Sequence, residues 1–93
     1  MKIPHAIKIG GLKYRVRIVK EIDKKDESAG ETDSQKLIIS LLSGQKQQAL
    51  EVSFLHDMFH AINLNLDEKE VEYLAMALYQ VIRDNPGLFK YGK

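Results

Sequence analysis

The hydrophobic period of this chain changes once, near Gln45, and that change limits the fold more than any other feature. Upstream, apolar and polar residues alternate. Downstream, apolar residues recur at spacings of three and four. Leu12, Tyr14, Val16 and Ile18 fall on one side of an extended segment, and Lys13, Arg15, Arg17 and Val19 on the other. Period two over such a run is the signature of a strand with one buried face, and a strand is predicted over residues 12–22. Residues 3–9, with Ile3, Ile7 and Ile9, read as a shorter strand before it. Gly10-Gly11 between the two is a hairpin signal, because glycine accepts the positive φ angles of a tight turn. Residues 23–34 are polar, carry Gly30 and read as a loop. The apolar run within residues 36–42, bounded by turn residues, reads as a third strand, and Ser43 is placed to cap the helix that comes next.

Beyond Gln45 the spacing is helical. Ala49, Val52, His56, Phe59 and His60 share one broad stripe, extended on the adjacent side by Leu55, Met58 and Ile62. Asn63 to Leu66 breaks this pattern. Asp67 with Glu70 three residues later forms a capping-box signature, so a second helix is predicted from Glu68 to Asp84, with Val71, Leu74, Ala75, Leu78 and Ile82 as its apolar stripe. Asn85-Pro86-Gly87 stops it. Strands followed by helices imply an α+β fold: a small three-stranded antiparallel sheet followed by two packed helices on one face. Ninety-three residues suit a single core, and residues 1–93 are read as one domain.

Composition narrows the chemistry. With no cysteine there is neither a disulfide nor a thiolate metal site. The net charge is +1, and Lys13, Arg15, Arg17 and Lys20 alternate along one strand, which reads as a solvated face and not as a nucleic-acid surface. No run approaches the roughly 20 apolar residues that span a bilayer, and no apolar signal stretch follows Met1-Lys2-Ile3-Pro4-His5. The expectation is a cytoplasmic protein that engages neither membrane nor nucleic acid.

Two of the chain's three histidines, His56 and His60, stand four residues apart on the first predicted helix, so their side chains project from one face about one turn apart. Imidazoles so placed can share one Zn²⁺. A third ligand must be a carboxylate or the remaining histidine, His5, which reads as a surface or strand-edge residue. Glu72 is the best candidate: if the helices form an antiparallel pair across the Asn63–Leu66 turn, it points back at the histidines. Glu68 and Glu70 are nearer in sequence but lie on faces that read as solvated, with Glu70 committed to the cap. The competing reading of His56 and His60 is a pair of satisfied core histidines.

The segment His56-Asp57-Met58-Phe59-His60 resembles the H-E-x-x-H helix of the zincin metallopeptidases. More narrowly, the chain resembles the short phage and prophage zincins related to the ImmA/IrrE family, in which a Glu-x-x-Ala motif on the next helix gives the third ligand. Glu72-Tyr73-Leu74-Ala75 matches that motif, and Tyr79-Gln80-Val81-Ile82 and Asn85-Pro86 continue the likeness. The N-terminal Ile-Pro through Ile-Gly-Gly and the Gly30-Glu31-Thr32-Asp33 turn are similar to the phage-encoded members as well. The resemblance implies a minimal zincin-like domain holding one Zn²⁺ through His56, His60 and Glu72. It implies hydrolysis of a peptide bond in a protein or peptide substrate, a repressor being one candidate. The third strand, near Leu37–Leu41, would offer its edge to an extended peptide. Tyr79, two turns after Glu72, reads as core or rim packing before it reads as an oxyanion donor.

One position departs from the pattern. The family's general base is glutamate, whereas this chain has Asp57, one methylene shorter, so its oxygens retract by roughly 1.5 Å. A base must lie within hydrogen-bond reach of the proton it takes, and about 1 Å of misplacement can cost on the order of a hundredfold in rate. The expectation is therefore a metallopeptidase with Asp57 as its catalytic base, or a zincin-fold binding module in which turnover is impaired.

Overall fold

A computed structural model describes residues 1–22 and 29–88. The strands are β1 (Ala6–Ile9), β2 (Leu12–Val19), β3 (Gly30–Asp33) and β4 (Ile38–Leu42), and the helices are α1 (Gln47–Ile62) and α2 (Glu68–Asp84). The class is α+β, as the change of period implies. The sheet differs from the expected one: it has four strands in the order β1-β2-β4-β3, and β2 and β4 run parallel.

The β1–β2 hairpin forms where the glycine pair predicts it, with Gly10 at φ 59° and Gly11 at φ 81°. β2 buries Tyr14 and Val16 and exposes Lys13, Arg15 and Arg17. The apolar run at 38–42 becomes β4, whose Ile39 and Leu41 are fully buried at the centre of the core. That burial corrects a functional expectation. β4 lies between β2 and β3, so its backbone is paired on both sides and offers no edge to a peptide.

Among the described residues, the free edge beside α1 belongs to β3. This strand falls within a segment expected to be loop; the part of that segment at residues 23–28 lies outside the described residues. β3 pairs antiparallel with β4. The turn between them is closed by the Asp33 carboxylate, which accepts from Gln35 N and Lys36 N at 3.0 Å each. Leu37 follows at φ 59°, a left-handed conformation that a non-glycine residue rarely takes, and its carbonyl accepts from Arg15 N at 2.9 Å.

α1 packs against β3 and β4 on one side and against α2 on another. It is covered from two directions, so its buried residues, Glu51, Phe54, Leu55 and Asp57, spread beyond the single expected stripe. Lys46, not Ser43, occupies its N-cap position, without a side-chain cap. Gln45 ties this start to the end of β4 and to Ala29, just before β3: its amide donates to Leu42 O at 2.8 Å and Ala29 O at 3.2 Å, and its carbonyl oxygen accepts from Ser53 Oγ at 3.0 Å. α2 packs chiefly on α1, not on the sheet, through Val71, Ala75 and Tyr79.

The capping box at the start of α2 is present with both of its hydrogen bonds, Asp67 and Glu70 each accepting from the other's end of the turn. Asp67→Ala should therefore lower stability by about 1 kcal/mol, measured by urea denaturation. No helix is long and apolar enough to cross a membrane among the described residues.

Candidate metal centre

The short connection Asn63–Asp67 decides what meets at the end of the helical hairpin. Asn63 Oδ1 accepts from Asn65 N at 3.0 Å, and Asn63 O accepts from Leu66 N at 3.2 Å. The chain therefore reverses within a few residues, and the first turn of α2 stands beside the last turns of α1. His56 and His60 project from α1 into that angle, their side chains about one-quarter exposed (26% and 23%). Their ring centroids are 4.9 Å apart and the two Nε2 atoms 3.2 Å apart.

The carboxylate that reaches them is that of Glu68, the first residue of α2. Its Oε1 lies 2.5 Å from His56 Nε2 and 3.1 Å from His60 Nε2. Burial works against its charge, but hydrogen bonds from His60 and His56 and their positive charge outweigh that, holding the carboxyl below its ordinary range. Glu72, the carboxylate expected from the sequence, lies one turn further along α2. It is exposed and lines the same pocket, but it is outside the trio of converging atoms. His5 is exposed and contributes its backbone carbonyl to the β1–β2 region by accepting from Val16 N at 2.8 Å. Tyr79 sits in the core, its hydroxyl directed to Glu51, and Arg83 lies over its ring at 5.8 Å. It joins the packing and not the histidine cluster.

Sequence reasoning discounted Glu68 because a polar residue beside a capping box reads as solvated. The signal that favours it is its place at the helix start, since in a tight hairpin the first turn of the second helix lies nearest the last turn of the first.

Asp57 occupies a different environment from its neighbour His56. It is only 3% exposed, and its Oδ2 has no hydrogen-bond partner. Burial, reinforced by the negative charges of Glu68 and Glu31 and opposed by a hydrogen bond from Thr32, pushes its carboxyl up to about 7. The carboxylate lies directly beneath β3 at Gly30: a Cβ built on that glycine would stand 2.0 Å from Asp57 Oδ2 and 3.2 Å from Cγ. Thr32 Oγ1 donates to the Asp57 backbone carbonyl at 2.9 Å. The edge strand and the histidine helix are thus joined at Asp57. A cavity of about 670 Å³ runs past it, lined by His56, Asp57, His60, Glu68 and Glu72 with Thr32 and Met76 at its sides.

The donor geometry can be tested against a metal ion. In a tetrahedral zinc site with bonds of 2.0–2.1 Å, neighbouring donor atoms stand about 3.3 Å apart. The two histidine nitrogens at 3.2 Å, and His60 Nε2 and Glu68 Oε1 at 3.1 Å, already stand near that spacing. Only the 2.5 Å approach of Glu68 to His56 would have to widen, by a rotation available to an exposed side chain. Two imidazoles and one carboxylate are an ordinary zinc donor set, and three protein ligands leave a fourth position open. The residues fit the ion. No protein-family model, curated protein or solved structure matches the chain.

Proposed function

We infer that this chain is a zincin-like metalloprotein that holds one zinc ion through His56, His60 and a carboxylate of α2, and that it acts as a peptidase on a protein segment. The observation that carries the reading is the convergence of two imidazole nitrogens and one carboxylate oxygen, each within 3.2 Å of the others, beside the β3 edge, which no other strand pairs among the described residues.

When bound, zinc acidifies a coordinated water and polarises a carbonyl. The chain's own residues supply the rest. Leu42 N donates to Ala29 O at 2.9 Å, which makes Ala29 and Leu42 a hydrogen-bonded pair of the antiparallel ladder. By alternation, Gly30 and Thr32 turn their backbone N–H and C=O away from β4. Those groups are the docking points for an extended peptide added as a further strand. Such a peptide passes over the cavity lined by His56, His60 and Glu68. Asp57, whose carboxyl burial pushes up to about 7, lines the same cavity and is the carboxylate proposed to take a proton from water and return it to the leaving amine. A cytoplasmic regulatory protein such as a repressor is the proposed class of substrate.

A second reading has its own support. The unpaired Asp57 Oδ2 is sealed under Gly30 on a side chain one methylene shorter than glutamate, which favours a zincin-fold binding module that keeps the metal and lacks turnover. One experiment separates the two: metal analysis of the purified protein, with cleavage of an unfolded protein substrate measured with and without chelator. The peptidase reading expects one zinc per chain and cleavage that chelator abolishes and zinc restores. The binding-module reading expects the same zinc, no cleavage, and activity gained by Asp57→Glu. Protein that takes up no zinc sinks both.

A further inference from the structure

Two carboxylates of α2, Glu68 and Glu72, line the cavity beside the histidine pair. Glu68 and Glu72 are four residues apart on α2, which places them on one helical face a single turn apart. Only one carboxylate is needed beside two imidazoles to leave the open position that a catalytic zinc site requires; a fourth protein donor closes the site and makes it structural. We propose that Glu68 is a displaceable closing ligand. With Glu72 as the third ligand, Glu68 fills the fourth position and keeps solvent and small ligands off the ion until it is pushed aside. The proposal rests on the zinc reading above.

Three observations carry it. Glu68 Oε1 already occupies the space between the imidazoles, 2.5 Å from His56 Nε2 and 3.1 Å from His60 Nε2, so no rebuilding of the backbone is needed for it to act as a donor. Its side chain is 69% exposed and sits on the first residue of α2, so unlike a packed ligand it can rotate outward into water without opening the core. Glu72 stands on the same wall one turn further along α2, exposed and outside the present trio, so as third ligand its side chain would swing toward the histidines while Glu68 stays as the fourth donor. Closure by an exposed carboxylate that competes with incoming ligand gives a centre that is silent at rest and opened by a ligand able to displace it. Asp57 does not offset this, being buried beneath β3.

The test uses the full chain loaded with Co²⁺, whose visible absorption reports coordination, and acetohydroxamate as an exogenous ligand. In the wild type the cobalt band should resist hydroxamate. In Glu68→Gln the band should shift, and hydroxamate should bind at least about tenfold more tightly, a free-energy change of about 1.4 kcal/mol. Cobalt affinity should fall far less in Glu68→Gln than in Glu72→Gln. Equal hydroxamate affinity in wild type and Glu68→Gln overturns the closing role while leaving the metal centre intact. So does a loss of cobalt affinity in Glu68→Gln as large as in His56→Ala, which would make Glu68 an obligatory third ligand. A wild-type chain that takes up no cobalt overturns the metal reading and this inference together. Glu68 is exposed on the first turn of α2, and circular dichroism of each variant verifies that the fold is kept.

Discussion

Replacing His56 with alanine is expected to weaken zinc binding by at least about a thousandfold. Changes to residues that merely orient a ligand already cost 10–100-fold, and His56 supplies one of the three donor atoms that converge at the helical hairpin. The same substitution gives a thermal readout. A ligand present at 100 times its dissociation constant stabilises the folded state by about 2.7 kcal/mol. For a domain of this size that raises the midpoint by on the order of 10–20 °C. Scanning calorimetry of the wild type should show this rise with zinc and its loss with chelator, while His56→Ala should melt at one temperature under both conditions. In chelator the variant and wild type should differ much less, because the His56 side chain is partly exposed. If the wild type melts at the same temperature with zinc and with chelator, the histidines are packing residues and the metal reading is lost.

The hairpin end that carries His56 was partly visible in the sequence. The four-residue spacing of the histidines, the Asp67–Glu70 cap and the alternation along β2 are local patterns, and each is present in the fold where its residues predict it. What escaped is non-local. Gly30–Asp33 has no apolar alternation; it is a strand because Thr32 and Gly30 meet Asp57 and because β4 offers it an edge. The parallel pairing of β2 with β4 depends on a crossing of the chain between distant segments, which no short window can show. α1 hides Phe54 and Asp57 as well as Leu55 because the sheet and α2 cover it from different directions. A single-stripe reading of a helix fails when two neighbours share it. The choice between Glu68 and Glu72 fails for a related reason: residues one turn apart present the same face, and only the length of the Asn63–Asp67 connection decides which stands level with the imidazoles.

The contact of Gly30 with Asp57 permits a second large prediction, independent of metal. A methyl group at position 30 would lie 2.0 Å from Asp57 Oδ2, with Asp57 Cγ at 3.2 Å and the Ser40 carbonyl oxygen at 3.3 Å. Asp57 is 3% exposed and its Oδ2 is buried, so its carboxylate cannot give way without moving. Gly30→Ala must lift β3 from α1 or drive the carboxylate out, and overpacking of this kind costs about 1–3 kcal/mol. Asp57→Ala removes both the obstructing oxygen and a buried polar atom that lacks a partner. In that background the methyl group introduced by Gly30→Ala should occupy space the carboxylate has vacated. The two substitutions are therefore expected to be coupled, the double variant being more stable than the sum of the single effects by at least about 1 kcal/mol. Urea denaturation of the four proteins in chelator measures the cycle. Additive effects would mean that the Asp57 carboxylate leaves its place under β3 at no cost, and so that the strand does not hold it there. Coupling would establish β3 as the element that positions Asp57. The same Asp57→Ala chain should still bind zinc with wild-type affinity, since this carboxylate is not among the converging donors, and should lose any peptidase activity. That separates the residue's place beneath the strand from the proposed zinc ligands.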